Sequence, residues 1–398
     1  MLHSYAFSNF RSFLERVEVS LTLTDKDGVN GWDMRSPISE QRLTTALGVL
    51  GANASGKTSL LKPLAFLSWF VRHSFASSPD SALFVERHFN GGDSPATFEV
   101  IADANEPETL WRYKLSVNAS QVLSESVERK ARRQAWRPVF ERTLVGGKYH
   151  VAQDGFGLDP QQAENVRPNV SLIAWAAQFG VKLALEMQKN FELLTNMSAG
   201  GRVSHMNRET LEDCIRYFAE DPLARERMQN LLRGWDLGLA EVRFSLHEIS
   251  DSSGTMRKRW FAFGVHRDWN NREHILPLAD ESSGTQSAFA LLALVLYVLE
   301  QGGVMAYDEL DSDLHPHLLE PLLELFSNSE TNPRHAQIVF SCHMTEILRF
   351  LQKSQVMLVE KDGLASHAWR LDSVEGVRID DNRVAKYLAG AYGAIPRL

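Results

Sequence analysis

Cysteine is almost absent from this chain: Cys214 and Cys342 are the only two in 398 residues, and neither belongs to a Cys-x-x-Cys pair. That excludes a disulfide framework and a cysteine-built structural metal site, and it fits a reducing cytoplasm. Long hydrophobic runs are missing too. The longest, Ala288 to Leu299, falls short of the roughly 20 residues that span a bilayer and reads as a buried helix with no membrane role. The opening stretch Met1 to Phe13 has no basic segment followed by an apolar one, so no signal peptide is expected. Positive charge is not in excess, since 42 Lys and Arg face 50 Asp and Glu for a net charge of −8. Such a balance argues against a surface that coats nucleic acid non-specifically and leaves local basic patches open. Repeats of solenoid period, low-complexity tracts and long heptads are lacking, which excludes solenoids and coiled-coil arms. What remains is an ordinary globular composition, 44% hydrophobic and 23% charged, with chain enough for two to three domains.

Against this plain background one stretch stands out. Gly51-Ala52-Asn53-Ala54-Ser55-Gly56-Lys57-Thr58 is a complete G-x-x-x-x-G-K-[ST] pattern between a short apolar run, Leu47 to Leu50, and a helical pattern from Lys57 to about His73. The glycines let consecutive backbone N–H groups point inward, and the helix N-terminus adds partial positive charge where phosphates sit. Lys57 is the residue that reaches β- and γ-phosphates, and Thr58 the one that holds Mg²⁺. Nucleotide binding is the first expectation.

Taken in order, residues 4 to 24 read as a half-buried hairpin, with Val17, Val19, Leu21 and Leu23 alternating. Asp25 to Gln41, with Gly28, Gly31 and Pro37, reads as a loop. Antiparallel strands return between Phe84 and Val117 and continue from Val127 to Tyr149. From Ser171 to Asn196 the period turns helical, and Arg208 to Leu232 adds at least one further helix. Strands resume at Glu241 to Ile249 and Arg259 to Val265.

Four chemical blocks follow. Glu281-Ser282-Ser283-Gly284-Thr285-Gln286 opens a long apolar helix whose capped N-terminus forms a second anion site without a lysine. Gly303 to Glu309 is an apolar strand ending in two carboxylates, Asp308 and Glu309; Leu310 to Pro316 follows, and Gln337 to His343 is a strand ending in histidine. Asp and Glu are poor strand formers and costly to bury, so the pair points to Asp308 supporting Mg²⁺ and Glu309 polarising the attacking water. His343 is placed to sense the γ-phosphate. In a compact nucleotide-binding core the metal carboxylate usually lies within about a hundred residues of the phosphate loop. Here about 250 intervene, so a large insertion must leave and re-enter one core. Two phosphate-binding helix N-termini in one chain suggest an ATP-dependent head-to-tail dimer, or a higher homo-oligomer, in which each Ser283 and Gly284 faces the other chain's nucleotide.

These residues in this order resemble the ATP-binding-cassette class of ATPase heads, the branch holding SMC, RecF and overcoming-lysogenisation (OLD) proteins. Asn9-Phe10-Arg11-Ser12-Phe13, Gly51 to Thr58, Pro95 to Val100, Glu281 to Gln286, Asp308 to Pro316 with its Asp311 and Asp313, and Tyr392-Gly393-Ala394-Ile395-Pro396 look like the AAA15 family, which includes the AbiL and RloA abortive-infection ATPases, and like the ATPase of the PARIS anti-phage system. The resemblance implies an α/β fold: an ABC-type ATPase head with a mixed sheet, an antiparallel N-terminal β subdomain and a mixed α/β central insertion. The lobes implied are 1–117, a largely helical insertion 118–240, and 241–398. It implies ATP and Mg²⁺ as cofactors; Arg11, Gly51, Asn53, Ala54, Ser55, Gly56, Lys57, Thr58 and Ser59 with Ser283 and Gly284 at the nucleotide; Thr58 and Asp308 at the metal; and Glu309 and His343 as the catalytic pair. The histidine strand of relatives ends in Thr-Thr-His, where this chain has Ser341-Cys342-His343-Met344. The glutamine-containing loop of the class has no counterpart read from the sequence, Arg87 to Asn90 being the nearest position.

Relatives with a C-terminal TOPRIM nuclease need far more chain than the about fifty-five residues after His343, so the resemblance implies a separate effector or toxin, a TOPRIM-like nuclease among the candidates, with a phage protein as trigger. The leading expectation is an ATP-hydrolysing sensor and scaffold of a defence system. A DNA-repair ATPase that clamps nucleic acid is the alternative, resting on Arg129-Lys130-Ala131-Arg132-Arg133 with Trp136 and Arg137, and on Arg257-Lys258-Arg259-Trp260. A vestigial interaction protein and a membrane-transport cassette fit less well, because both carboxylates are intact and the insertion is large.

Overall fold

Apolar stretches that do not alternate form the centre of the molecule. Ala46–Gly51, Val304–Tyr307, Gln337–Ser341 and the first half of Val356–Asp362 are nearly continuous hydrophobic runs, the pattern of strands covered on both faces. In the computed structural model they lie side by side in a six-stranded sheet of order Leu193–Thr195, Val304–Tyr307, Gln337–Ser341, Ala46–Gly51, Val356–Asp362, Ala365–Arg370. All neighbours are parallel except the last pair, so the sheet is mixed. The structure describes residues 1–24, 31–36, 38–104, 109–199, 208–235, 238–250, 255–312, 314–378 and 380–396. Gly28, Pro37 and Asp313 of the expected loop and motif lie outside them.

Successive side chains of these strands serve two different cores. Leu47, Val49, Val339 and Val359 join one cluster, whereas Leu50, Ile338, Phe340 and Leu358 join the other, the two-residue period of a sheet packed on both sides. Helix Lys57–His73 fills the first side. It is buried on nearly all faces because a second sheet covers it, seven antiparallel strands of order Lys148–Gln153, Arg137–Val145, Val122–Ala131, Thr109–Val117, Ala96–Asp103, Leu2–Ser8, Val17–Ser20. Phe66 of the helix stacks on Phe70 at 5.7 Å and meets Phe98 of this sheet at 5.0 Å and Phe10 at 6.2 Å. The Tyr5 hydroxyl donates to the Leu60 carbonyl at 3.0 Å. Aromatic pairs of this kind add about 0.5–1.5 kcal/mol each beyond the area they bury. The N-terminal hairpin is present, with Tyr5 opposite Val19.

The second side is helical. Helix Ser283–Gln301 starts at Ser282, whose side chain accepts from the Thr285 N–H, and stops at Gly302, φ 77°. By length and composition it is the one helix among the described residues that could cross a membrane, longer than the run read from the sequence, yet most of it is buried here. Arg208–Glu220, Pro222–Gly234 and Pro316–Ser327 pack into the same cluster, with Phe218 edge-on to Phe289 at 5.0 Å.

Three features differ from the sequence reading. The expected lobe boundary at residue 117 cuts a continuous sheet, because Val122–Ala131 pairs antiparallel with Thr109–Val117 and carries the ladder on to Gln153. The helical stretch Ser171 to Asn196 is broken into Leu172–Gln178 and Lys182–Asn190, with Gly180 at φ 74° between them, and it ends as an edge strand, Leu193–Thr195. Finally, the insertion straddles the central sheet: residues up to Met197 join the first core and those from Cys214 the second.

Its attachment to the seven-stranded sheet rests on a buried ion pair. Glu125 and Arg142 are opposite each other on neighbouring strands, both fully buried, with N···O 3.7 Å. Glu125 accepts from the Ser171 hydroxyl at 2.6 Å, the Leu172 N–H at 2.8 Å and the Tyr113 hydroxyl at 3.0 Å, so it caps the helix that follows. Arg142 donates to the carbonyls of Val170 and Arg167. Burial pushes the Glu125 carboxyl up against the pull of Arg142. Arg142→Met should lower stability by about 3–5 kcal/mol, as expected when one partner of a buried pair is removed. A chemical-denaturation midpoint close to that of the unsubstituted protein would contradict this role.

Candidate functional site

The phosphate loop Gly51 to Thr58 is held in shape by crowding. A Cβ on Gly51 would lie 2.2 Å from the Val359 carbonyl oxygen; one on Gly56, at φ +114°, would lie 2.4 Å from the Ser366 hydroxyl. Neither position tolerates a side chain. Ser366 stitches the loop to the N-terminal hairpin: its hydroxyl donates to the Ser55 carbonyl at 2.6 Å and its N–H to the Ser12 carbonyl at 2.6 Å. Lys57 lies nearly buried, and its ammonium spans the loop to the carbonyls of Gly51 at 2.9 Å and Ala52 at 3.1 Å. Burial pushes the Lys57 ammonium down, opposed chiefly by the charge of Asp308.

Asp308 is the centre of the site. It is 2% exposed. One carboxylate oxygen accepts from the Thr58 hydroxyl at 2.9 Å, the other from the Ser341 hydroxyl at 2.6 Å. Its main chain is bonded on both sides by the Asn196 side chain, which accepts from the Asp308 N–H at 2.8 Å and donates to the Asp308 carbonyl at 2.8 Å. The next residue, Glu309, has φ 53°, and its N–H donates to the Ser341 hydroxyl at 2.8 Å. His343 is exposed, and its N–H donates to Asp311 at 2.8 Å. Burial pushes the neighbouring Cys342 thiol well up, so it is not a ready nucleophile.

These groups surround a cavity of about 520 Å³ lined by Ser12, Asn53, Ala54, Gly56, Lys57, Thr58, Ser59, Glu309, His343 and Lys361. Its size is that of an ordinary small-molecule site. Gly51, Ser55 and Asp308 support it from beneath. Arg11 does not line it: its guanidinium pairs with Glu86 at 3.1 Å while Ser12 faces the cavity. Arg87 to Asn90 forms a turn in which the His88 ring contacts the Leu364 carbonyl, away from the lining. Ser283 and Gly284 are exposed at the start of their helix and are not among the residues that line the cavity. Asn196, Ser341 and Lys361 were not read from the sequence as functional.

The donor set fits a nucleotide with a divalent ion. The glycine-constrained loop, the buried lysine and the Thr58–Asp308 contact converge on one cavity, and the Ser12 hydroxyl is buried without a hydrogen-bond partner among the described residues. Among those residues no cluster of three or more His, Cys, Asp or Glu could hold a metal by itself.

Residues 47–349 match the family model described as "AAA domain, putative AbiEii toxin, Type IV TA system". The chain belongs to this family. Membership makes it an AAA-type ATPase. No curated protein matches it. Among solved structures it is similar to the SMC head domain from Thermotoga maritima, at 12% identity over 93% of this chain and 98% of that one, TM-score 0.41. An SMC head bound to the C-terminal winged-helix domain of ScpA gives 10%, 94%, 99% and 0.45. The Pyrococcus furiosus SMC head with an extended coiled coil, bound to the C-terminal domain of ScpA, gives 9%, 93%, 96% and 0.43.

A second lysine, Lys62, lies one turn beyond Thr58, fully buried and donating to the Ser198 carbonyl. Burial first, and then the charge of Arg11, push it down to about 8 from 10.5. Between those two values the unfolded chain keeps a proton that the folded chain has released, so this residue makes stability rise with pH across that window. The melting temperature of the unsubstituted protein should climb relative to Lys62→Met from pH 8 to 10.5. A pH-independent difference would show that burial does not perturb the lysine.

Proposed function

We propose that this chain hydrolyses ATP as the sensor and scaffold of a bacterial anti-phage system of abortive-infection or toxin–antitoxin type, acting through a separate effector protein. The observation that carries the hydrolytic reading is the direct contact of Thr58 with Asp308, 250 residues apart, beside a cavity that Lys57, Glu309 and His343 line together. In this reading Lys57 leaves the loop carbonyls for the phosphates, and the helix N-terminus behind it adds its dipole. Thr58 and Asp308 would hold Mg²⁺, which when bound neutralises phosphate charge. Glu309 accepts hydrogen bonds from the attacking water and takes its proton, and His343 faces the γ-phosphate. The lining adds Lys361 and Ser12 as further phosphate contacts.

Gly284 supports the shared site. A glycine within a helix costs about 1 kcal/mol relative to alanine. Among the described residues the nearest neighbour of an added Cβ would be the Ser282 hydroxyl at 4.0 Å, so no crowding there calls for a glycine; in this reading the open position lets a second copy's nucleotide approach the backbone closely. We assign the AAA15 branch, a cytoplasmic location suited to two free buried thiols, and a neighbouring effector such as a TOPRIM-like nuclease released by a phage trigger on the same footing. The family's association with an AbiEii-like toxin and a type IV toxin–antitoxin system favours this setting over DNA repair. A nucleic-acid role has one observation on its side, a polar cleft of about 840 Å³ lined by Lys130, Arg132, Arg133 and Trp136. Glu18 and Glu40 line it too, and Arg132 is already paired with Glu40.

Glu309→Gln should lower ATP turnover about 100-fold or more while nucleotide still binds, the size expected for loss of a general base. Lys57→Ala should abolish binding itself in an equilibrium titration. Unchanged turnover in the first would remove the assigned mechanism. For the shared site, Lys57→Ala and Ser283→Arg chains are inactive alone. Mixed one to one, they should recover about a quarter of normal turnover, since half the dimers are mixed and each restores one of two sites. A mixture no better than either chain removes the sharing.

A further inference from the structure

Asn196 is not among the residues that line the cavity, yet its side chain holds the main chain of Asp308. We propose that Asn196 is a positioning residue for ATP hydrolysis, acting through the single peptide that joins Asp308 to Glu309. This rests on the reading that Glu309 activates water.

The peptide is pinned at both ends. Its carbonyl oxygen, on Asp308, accepts from the Asn196 amide at 2.8 Å; its N–H, on Glu309, donates to the Ser341 hydroxyl at 2.8 Å. A peptide plane held at both its polar atoms cannot rotate, and its orientation decides where the Glu309 side chain points. The constraint matters because Glu309 sits at φ 53°, in the left-handed region. A residue with a Cβ stays there only when its surroundings over-determine the conformation.

Asparagine is suited to this position. Strand Leu193–Thr195 runs parallel to Val304–Tyr307, with Thr195 opposite Ala306, and then ends. The next residue is Asn196, whose side-chain amide offers a carbonyl acceptor and N–H donors, so that it can pair as a main-chain peptide does. It accepts from the Asp308 N–H at 2.8 Å while donating to the Asp308 carbonyl, adding one more rung to the ladder after the strand itself has stopped. It does so from a buried site, 4% exposed. The Asp308 carboxylate oxygens are thereby left to Thr58 and Ser341. The same segment is tied down once more where the Ser198 carbonyl accepts from Lys62.

Asn196 comes from the insertion, between helices Lys182–Asn190 and Arg208–Glu220, and it directly follows a three-residue edge strand.

The test uses the full chain. In Asn196→Ala, kcat should fall about 10- to 100-fold, the scale of a catalytic group displaced by a fraction of an ångström to an ångström. The affinity for a fluorescent ATP analogue should stay within about threefold, because the loop, Lys57 and Thr58 are untouched. Without nucleotide, the Glu309 amide should exchange its hydrogen about tenfold faster or more, reporting the freed peptide directly. Asn196→Ser keeps a polar group in the buried position but cannot reach both main-chain atoms of Asp308, and it should show the same loss should the alanine variant fold poorly. Normal kcat in a folded variant overturns the proposal, and so does nucleotide affinity falling in step with kcat, which marks a merely structural role. The unsubstituted protein separates the two levels: if it hydrolyses no ATP, the functional reading fails, while Glu309 exchange still decides whether Asn196 pins the peptide.

Discussion

A carboxylate that is 2% exposed must find partners for its polar atoms, and Asp308 finds them on three segments far apart in sequence. Thr58 comes from the phosphate-loop helix, Ser341 from the adjoining strand, and Asn196 from the insertion. An isolated buried carboxylate would take up a proton. The sheet order follows from this demand. Val304–Tyr307 has to lie beside Gln337–Ser341 for Ser341 to reach it, Gln337–Ser341 beside Ala46–Gly51 for Thr58 to reach it, and Leu193–Thr195 on the open edge for Asn196. The site is less a pocket carved into a fold than the reason the strands are in that sequence.

What the sequence made legible was local. The phosphate loop announces itself because eight adjacent residues perform one task, and the two glycines are required by contacts of 2.2 and 2.4 Å that a Cβ would make. The carboxylate pair was legible because acidic residues end an apolar strand. Asn196 was hidden: a side-chain amide following a three-residue strand has no periodic or compositional signal, and it was absorbed into a helical pattern that Gly180 in fact interrupts. Ser341 stood in view as a departure from the relatives' Thr-Thr-His, but its double duty toward the Asp308 carboxylate and the Glu309 N–H exists only in three dimensions. The lobe boundary failed for a related reason, since alternating strands on either side of residue 117 look alike whether they extend one sheet or begin another.

The insertion is therefore not an appendage. Its first part extends the antiparallel sheet, folds over helix Lys57–His73 and returns to the central sheet beside the carboxylate strand. Its second part packs on helix Ser283–Gln301, whose N-terminus carries Ser283 and Gly284. One segment of chain thus touches the supports of both halves of the proposed composite site, metal side and signature side. The ion pair of Glu125 with Arg142 fixes where that segment leaves the first sheet.

The stitch made by Ser366 has a consequence for how the protein comes into being. It joins Ser12 to the Ser55 and Gly56 turn, and it belongs to a strand that lies 311 residues beyond Ser55 in the sequence. The loop motif is synthesised early, but the groups that hold its shape and the carboxylate it works with arrive some 250 to 310 residues later. Contacts of such long range form slowly and late. A chain from which the later segments are missing therefore carries the motif without the contacts that hold its shape.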